Sequence, residues 1–137
     1  MTPCIEPYVE EILGDYQCGF RNGRSTTDQI FCLRMILERA CDYKVDIHQL
    51  YIDYKQAYDT INRAELVEIM KELGIPMKLV ILVKMTLANT NNKVKIQGKL
   101  SPGFETTIGL RQGDSLSTLL FNLCMEKIIR KFGINPF

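Results

Sequence analysis

Three times in this chain a residue able to cap a helix stands directly ahead of an apolar stripe at helical spacing. Ser25, with Asp28 three residues on, precedes Ile30, Leu33, Leu37, Ala40 and Cys41. Asn62, with Glu65, precedes Leu66, Ile69, Met70 and Leu73, and Asp114 or Ser115 precedes Leu116, Leu119, Leu120, Leu123 and Ile128. A side-chain oxygen at such a position accepts a free N–H of the first turn, and the stripe behind it supplies a face for a core. The spacing predicts helices running to about Tyr43, to Gly74 and to Gly133, the last two stopped by glycine. A shorter first helix follows from Ile5, Val9 and Ile12, and Pro76 fits the first turn of another carrying Leu79, Leu82 and Val83.

Between the second and third of these helices the period changes. Leu50, Ile52 and Tyr54 alternate with Tyr51 and Asp53, both sets largely apolar, which predicts a strand inside a covered sheet. "KVKIQ" and "FETTIGL", joined across "GKLSPG", predict a strand pair with a turn. The order is helix, helix, strand, helix, helix, hairpin, helix. It implies an α+β fold with helices packed on a small antiparallel sheet, in one domain over residues 1–137.

With 17 Lys plus Arg against 16 Asp plus Glu, no global charge favours nucleic acid; such a role must rest on local patches. The five cysteines, at 4, 18, 32, 41 and 124, include no C-x-x-C pair, and His48 is the one histidine, so no zinc constellation exists. Reduced, mostly buried thiols in an intracellular protein, cytoplasmic or nuclear, are expected. The first residues do not make a secretory signal, and "LVILV" at 79–83 is far too short to span a membrane, so no membrane partner is expected.

Three stretches could carry chemistry. An acid at the end of a buried strand costs free energy unless it is paired or binds a metal, and Asp53 alone does not decide between a hydrogen bond to backbone or Lys55 and a ligand role. "GLRQGDSLSTLLFNL", 109–123, sets two glycines around Leu110, Arg111 and Gln112 ahead of a helix. That arrangement can hold a phosphate-bearing ligand, or simply cap the helix. "GFRNGRSTTDQ" places Arg21 and Arg24 in a glycine-bearing loop, for phosphate contact or plain solvation.

Taken in order, "QCGFRNGRSTTDQI", "YIDYKQAYDTI" and "GLRQGDSLSTLLFNL" resemble the reverse transcriptase domain of non-LTR retrotransposons, over about residues 16–132. The resemblance implies part of a right-hand polymerase fold, the palm with part of the fingers, and RNA-templated DNA synthesis. Its partners would be an RNA template, a DNA primer and dNTPs; the oligomeric state is left open. By resemblance Asp53 is the first metal-binding aspartate, holding Mg2+ or Mn2+ with help from the backbone carbonyl of Ile52 or Tyr54. Tyr58 falls on the aromatic position that acts as a steric gate against the ribose 2′-hydroxyl, with Ala57 keeping the turn tight; taken alone, Tyr58 is a core aromatic. Asp59 is structural. Gln112 and Gly113 map onto the loop that contacts nucleotide and template base, with Arg111 near phosphate or in a supporting salt bridge, and Arg21 and Arg24 help arrange fingers and template.

Two departures stand out. Ser115 and Thr118 replace the prolines usual in the third motif, and no A-D-D motif, which carries the family's catalytic pair, occurs in the 137 residues. Two-metal phosphoryl transfer needs several converging carboxylates. The expectation is therefore a partial domain, marginally stable and unable to polymerise DNA unaided. A non-catalytic nucleic-acid-binding remnant, resting on Arg21, Arg24, Lys93, Lys95, Lys99 and Arg111, and a decayed open reading frame are the alternatives. Group II intron maturases and telomerase share the palm fold and are more distant.

Overall fold

A computed structural model describes residues 1–133. Among the described residues there are five helices and two short β-ladders: α1 (Thr2–Ile12), α2 (Thr26–Tyr43), α3 (Arg63–Glu72), α4 (Met77–Leu87), β1 (Thr90–Asn92), β2 (Lys95–Ile96), β3 (Lys99–Leu100), β4 (Phe104–Thr106) and α5 (Ser115–Lys131). The caps fall where the sequence places them. Ser25 accepts from Asp28 N, Asn62 from the amides of Ala64 and Glu65, and Asp114, rather than Ser115, from Leu116 N. Pro76 stands one position before α4, as its N-cap.

The chain forms two compact units. One comprises Met1–Leu13 with the residues from Gln56 onward; the other is Gly14–Lys55. In the first unit the core is helix against helix. Ile5 and Val9 of α1, Leu66 and Met70 of α3, Val80 and Val83 of α4, and Leu120 and Leu123 of α5 are all buried, each contributing about 1.5–3 kcal/mol by leaving water. Thr2 Oγ1 meets Ser115 Oγ at 3.3 Å and Arg130 donates to Ile12 O at 2.5 Å, so α1 and α5 run parallel with both ends tied. The fold is mixed α+β, but the sheets lie outside the apolar cluster, so the expected packing of helices on a sheet gives way to helix-on-helix packing.

The hairpin differs from expectation in register. Gln97 and Gly98 both have positive φ, 47° and 81°, the backbone of a two-residue turn whose twist matches its flanking strands. That turn folds β2 directly onto β3, pairing Lys95 with Leu100 and Ile96 with Lys99, inside the stretch expected to be the connection. The longer pairing is left to β1 and β4, with Thr90 opposite Thr106 and Asn92 opposite Phe104. In α4 the buried face is Val80, Val83 and Leu87, and Leu82 is exposed. A helix that is apolar nearly all round does not fix its own phase.

In the unit Gly14–Lys55 two expectations fail. The strand over Ile47–Tyr54 is absent: the segment has no ladder partner among the described residues, and Leu50 and Ile52 are 85% and 64% exposed. Alternating apolar residues make a strand only when another strand satisfies their N–H and C=O groups. α2 forms as expected from its cap, but buries no residue; Ile30 is 68% and Leu37 40% exposed. Its stripe marks a face that nothing within this unit covers. The thiols differ too: Cys18 and Cys124 are buried, whereas Cys4, Cys32 and Cys41 are exposed, and all five are free. No helix among the described residues is long and apolar enough to cross a membrane.

Candidate functional site

The site is built on two loops that the sequence separates and the fold joins. The first, Gln56–Ile61, turns tightly: Gln56 takes φ 50°, and its carbonyl accepts from Asp59 N at 2.9 Å and Thr60 N at 3.1 Å. The second, Gly109–Asp114, leads into α5. Leu110 N donates to Tyr58 O at 2.9 Å, Gly109 N donates to Ile61 O at 2.8 Å, and the Gln112 amide donates to Asp59 Oδ1 at 3.2 Å. Gly109 is required at this junction. Its φ is 82°, and a Cβ there would stand 2.8 Å from the Asp59 carbonyl oxygen.

One side chain that sequence reasoning missed holds this junction to the rest of the unit. Arg63, the first residue of α3, donates from Nε to Gly109 O at 2.8 Å. Its Nη1 reaches Leu87 O at 2.9 Å, Thr90 Oγ1 at 2.6 Å and Thr106 O at 2.7 Å. A planar guanidinium with five donors can serve the loop, the end of α4 and both strands of one ladder at once. Burial, and then the neighbouring Arg111 charge, lower its pKa. No pattern announces it; an arginine just after an N-cap reads as solvated, and only three-dimensional convergence of carbonyls gives it this work.

Tyr58 is half-buried and stacked on Phe121 of α5, with ring centroids 4.8 Å apart and planes at 20°, and burial pushes its hydroxyl pKa up. Ala57 lies beside it, also half-buried. Arg111 and Gln112 are exposed, Arg111 without an ion pair among the described residues. Gly113, at φ 84°, has open space around its Cα. A cavity of about 200 Å³ is lined by Asp59, Arg63, Asn92, Thr106 and Arg111 among others. Two arginines and one carboxylate, Asp59, stand at its wall, and its size suits a phosphate group more than a whole nucleotide.

The remaining residues belong to the other unit. Asp53 is exposed, in irregular backbone between Ile52 and Tyr54, with no hydrogen bond or ion pair among the described residues; Lys55 does not pair with it. Arg21 donates to the carbonyls of Gly14 at 2.7 Å and Gln17 at 3.0 Å, and Arg24 pairs with Asp15. Both arginines brace their own loop. The donors present do not make a magnesium or manganese site: no group of three or more His, Cys, Asp or Glu among the described residues could hold a metal ion. What the joined loops do offer a ligand is hydrogen bonding and the unpaired charge of Arg111, with Asp59 and Asp114 on the same loops.

Residues 1–134 match the family of reverse transcriptases (RNA-dependent DNA polymerases). The chain is 30% identical over 112 residues to a probable RNA-directed DNA polymerase from transposon BS of Drosophila melanogaster, which covers 82% of this chain and 12% of that protein. It is 25% identical over 114 residues to the Pol polyprotein of the type-2 retrotransposable element R2DM of the same organism, covering 83% and 11%. With a 149 kDa protein of transposon TX1 from Xenopus laevis it shares 26% over 125 residues, covering 91% and 10%. The chain thus spans about a tenth of the length of these relatives.

Proposed function

The chain belongs to the reverse transcriptase family, on its non-LTR retrotransposon branch, and on that premise we propose that its Gln56–Ile61 and Gly109–Asp114 loops form the nucleotide-facing surface of an RNA-directed DNA polymerase. The observation that carries the reading is the hydrogen bond from Gln112 to Asp59, with the backbone bonds beside it, which unites two motifs that the chain separates by 53 residues. Gln112 keeps its carbonyl and a second N–H for a base or sugar. Arg111 offers its charge to a triphosphate. Gly113 lets the backbone approach closely. Tyr58, its ring held against Phe121, is the gate that discriminates a deoxyribose from a ribose.

Palm and fingers are the matching parts of the right-hand fold, and Asp53 is the carboxylate that would take part in a metal site. The 137-residue chain supplies one acid of that site and no A-D-D motif. RNA template, DNA primer and dNTPs are the partners of this reading.

The test is dNTP binding by the chain mixed with an RNA template and DNA primer, followed by fluorescence anisotropy. Gln112→Ala is expected to weaken binding about 3- to 10-fold, the scale of one or two lost hydrogen bonds. Binding unchanged by Gln112→Ala would remove the loop from the site.

A further inference from the structure

Between Asn92 and Phe104 the chain runs "NKVKIQGKLSPGF", with three lysines and no acid. This stretch is the arm that carries β2 and β3 beyond the end of the β1–β4 ladder, and residues 93–100 are all exposed. Lys93, Lys95 and Lys99 make no ion pair or side-chain hydrogen bond among the described residues. The arm has defined geometry at both ends. At its tip is the Gln97–Gly98 turn, and at its base Ser101 N donates to Val94 O at 2.8 Å while Val94 N donates to Ser101 Oγ at 2.9 Å. The ladder beneath it is clamped by Arg63 through Thr90 and Thr106, the same side chain that holds Gly109.

We infer that this hairpin is a nucleic-acid arm: Lys93, Lys95 and Lys99 bind the phosphodiester backbone of a single strand passing the Gly109–Asp114 loop. The inference rests on the polymerase reading for the choice of ligand, and adds to it a surface that none of the motifs contains. Unpaired lysines held out on a hairpin break no ion pair of their own on meeting phosphates and release counterions when they do. The arm carries no aromatic ring among residues 93–103 on which a base could stack, so the contact is independent of sequence. An anionic membrane is the competing ligand for a basic, partly apolar hairpin. The cross-strand pairs argue against it: Lys95 sits opposite Leu100 and Lys99 opposite Ile96, so neither face offers a continuous apolar surface for insertion.

The experiment is a salt titration of the 137-residue chain with fluorescent 20-nucleotide poly(U), read by anisotropy. In the triple variant K93Q/K95Q/K99Q, three lost phosphate contacts should weaken binding at least a hundredfold at 50 mM salt and flatten the log–log salt slope by about 2. K93R/K95R/K99R should bind as the parent does. Circular dichroism should be the same for all three, since the arm has no residue in the core. An unchanged slope in the glutamine variant overturns the inference while leaving the polymerase reading standing, because dNTP binding at Gln112 is measured separately. Absence of poly(U) binding by the parent also overturns it, and if dNTP binding is absent too, the polymerase reading falls with it. Equal or tighter binding to phosphatidylserine vesicles, lost in the glutamine variant, would make the arm a membrane contact and overturn the inference.

Discussion

Arg63 joins more of the site than any motif residue does. Its donors reach Gly109, Leu87, Thr90 and Thr106, so its loss leaves several acceptors unpaired and releases both the loop and a strand pair. Arg63→Ala should destabilise the chain by about 2–4 kcal/mol, the scale of hydrogen bonds to a charged group, and Arg63→Lys should recover only part, since one ammonium cannot span that fork of acceptors. Urea unfolding measures both; a change under about 0.5 kcal/mol would contradict the clamp. Cys124 makes a second residue-scale prediction. Burial, and then the Glu65 charge, push its thiol up to about 11 from 9.0. The folded state keeps this proton while the unfolded chain loses it, so the stabilisation is complete below pH 9 and is lost as pH rises towards 11, with a full size of about 2–3 kcal/mol. Cys124→Ala should flatten that loss in urea unfolding between pH 8.5 and 10.5.

At the scale of elements, what local chemistry decides was legible and what a neighbour decides was not. Ser25, Asn62 and Asp114 fixed the starts of α2, α3 and α5 because a cap is satisfied within its own first turn. The apolar stripe of α3 and α5 found its partners; the same kind of stripe on α2 did not, and the alternating run at 47–54 formed no strand, because periodicity names a face and not its cover. The hairpin register went to Gln97–Gly98, a turn chemistry hidden within what read as a connection. Packing makes this measurable. Leu66→Ala and Leu123→Ala should each cost about 2–5 kcal/mol, whereas Ile30→Ala and Leu37→Ala in α2 should each cost under about 0.5 kcal/mol. Comparable losses in both sets would contradict the exposure of α2.

For the molecule as a whole, the family was legible from three motifs in order, and the structure brings two of them together. Tyr58, Ala57, Arg111, Gln112 and Gly113 lie on adjoining loops of one unit, linked by Gln112 and Asp59. Asp59, assigned a structural role from sequence, fills one as the acceptor for Gln112. Asp53, Arg21 and Arg24 lie in the unit Gly14–Lys55, where the arginines are engaged with their own loop. Arg63 stayed invisible because its value lies in carbonyls contributed by residues 24 to 46 positions away.

A nucleotide seated on the joined loops would lie within reach of Tyr58 and the Arg111–Gly113 segment. The direct measurement is photolabelling of the chain with an azido-dATP in the presence of an RNA template and DNA primer, with labelled residues mapped by mass spectrometry. Label confined to Tyr58 and the Arg111–Gly113 segment, and displaced by unmodified dATP, is the predicted result. Label spread over the surface without displacement, or concentrated away from these two loops, would contradict it.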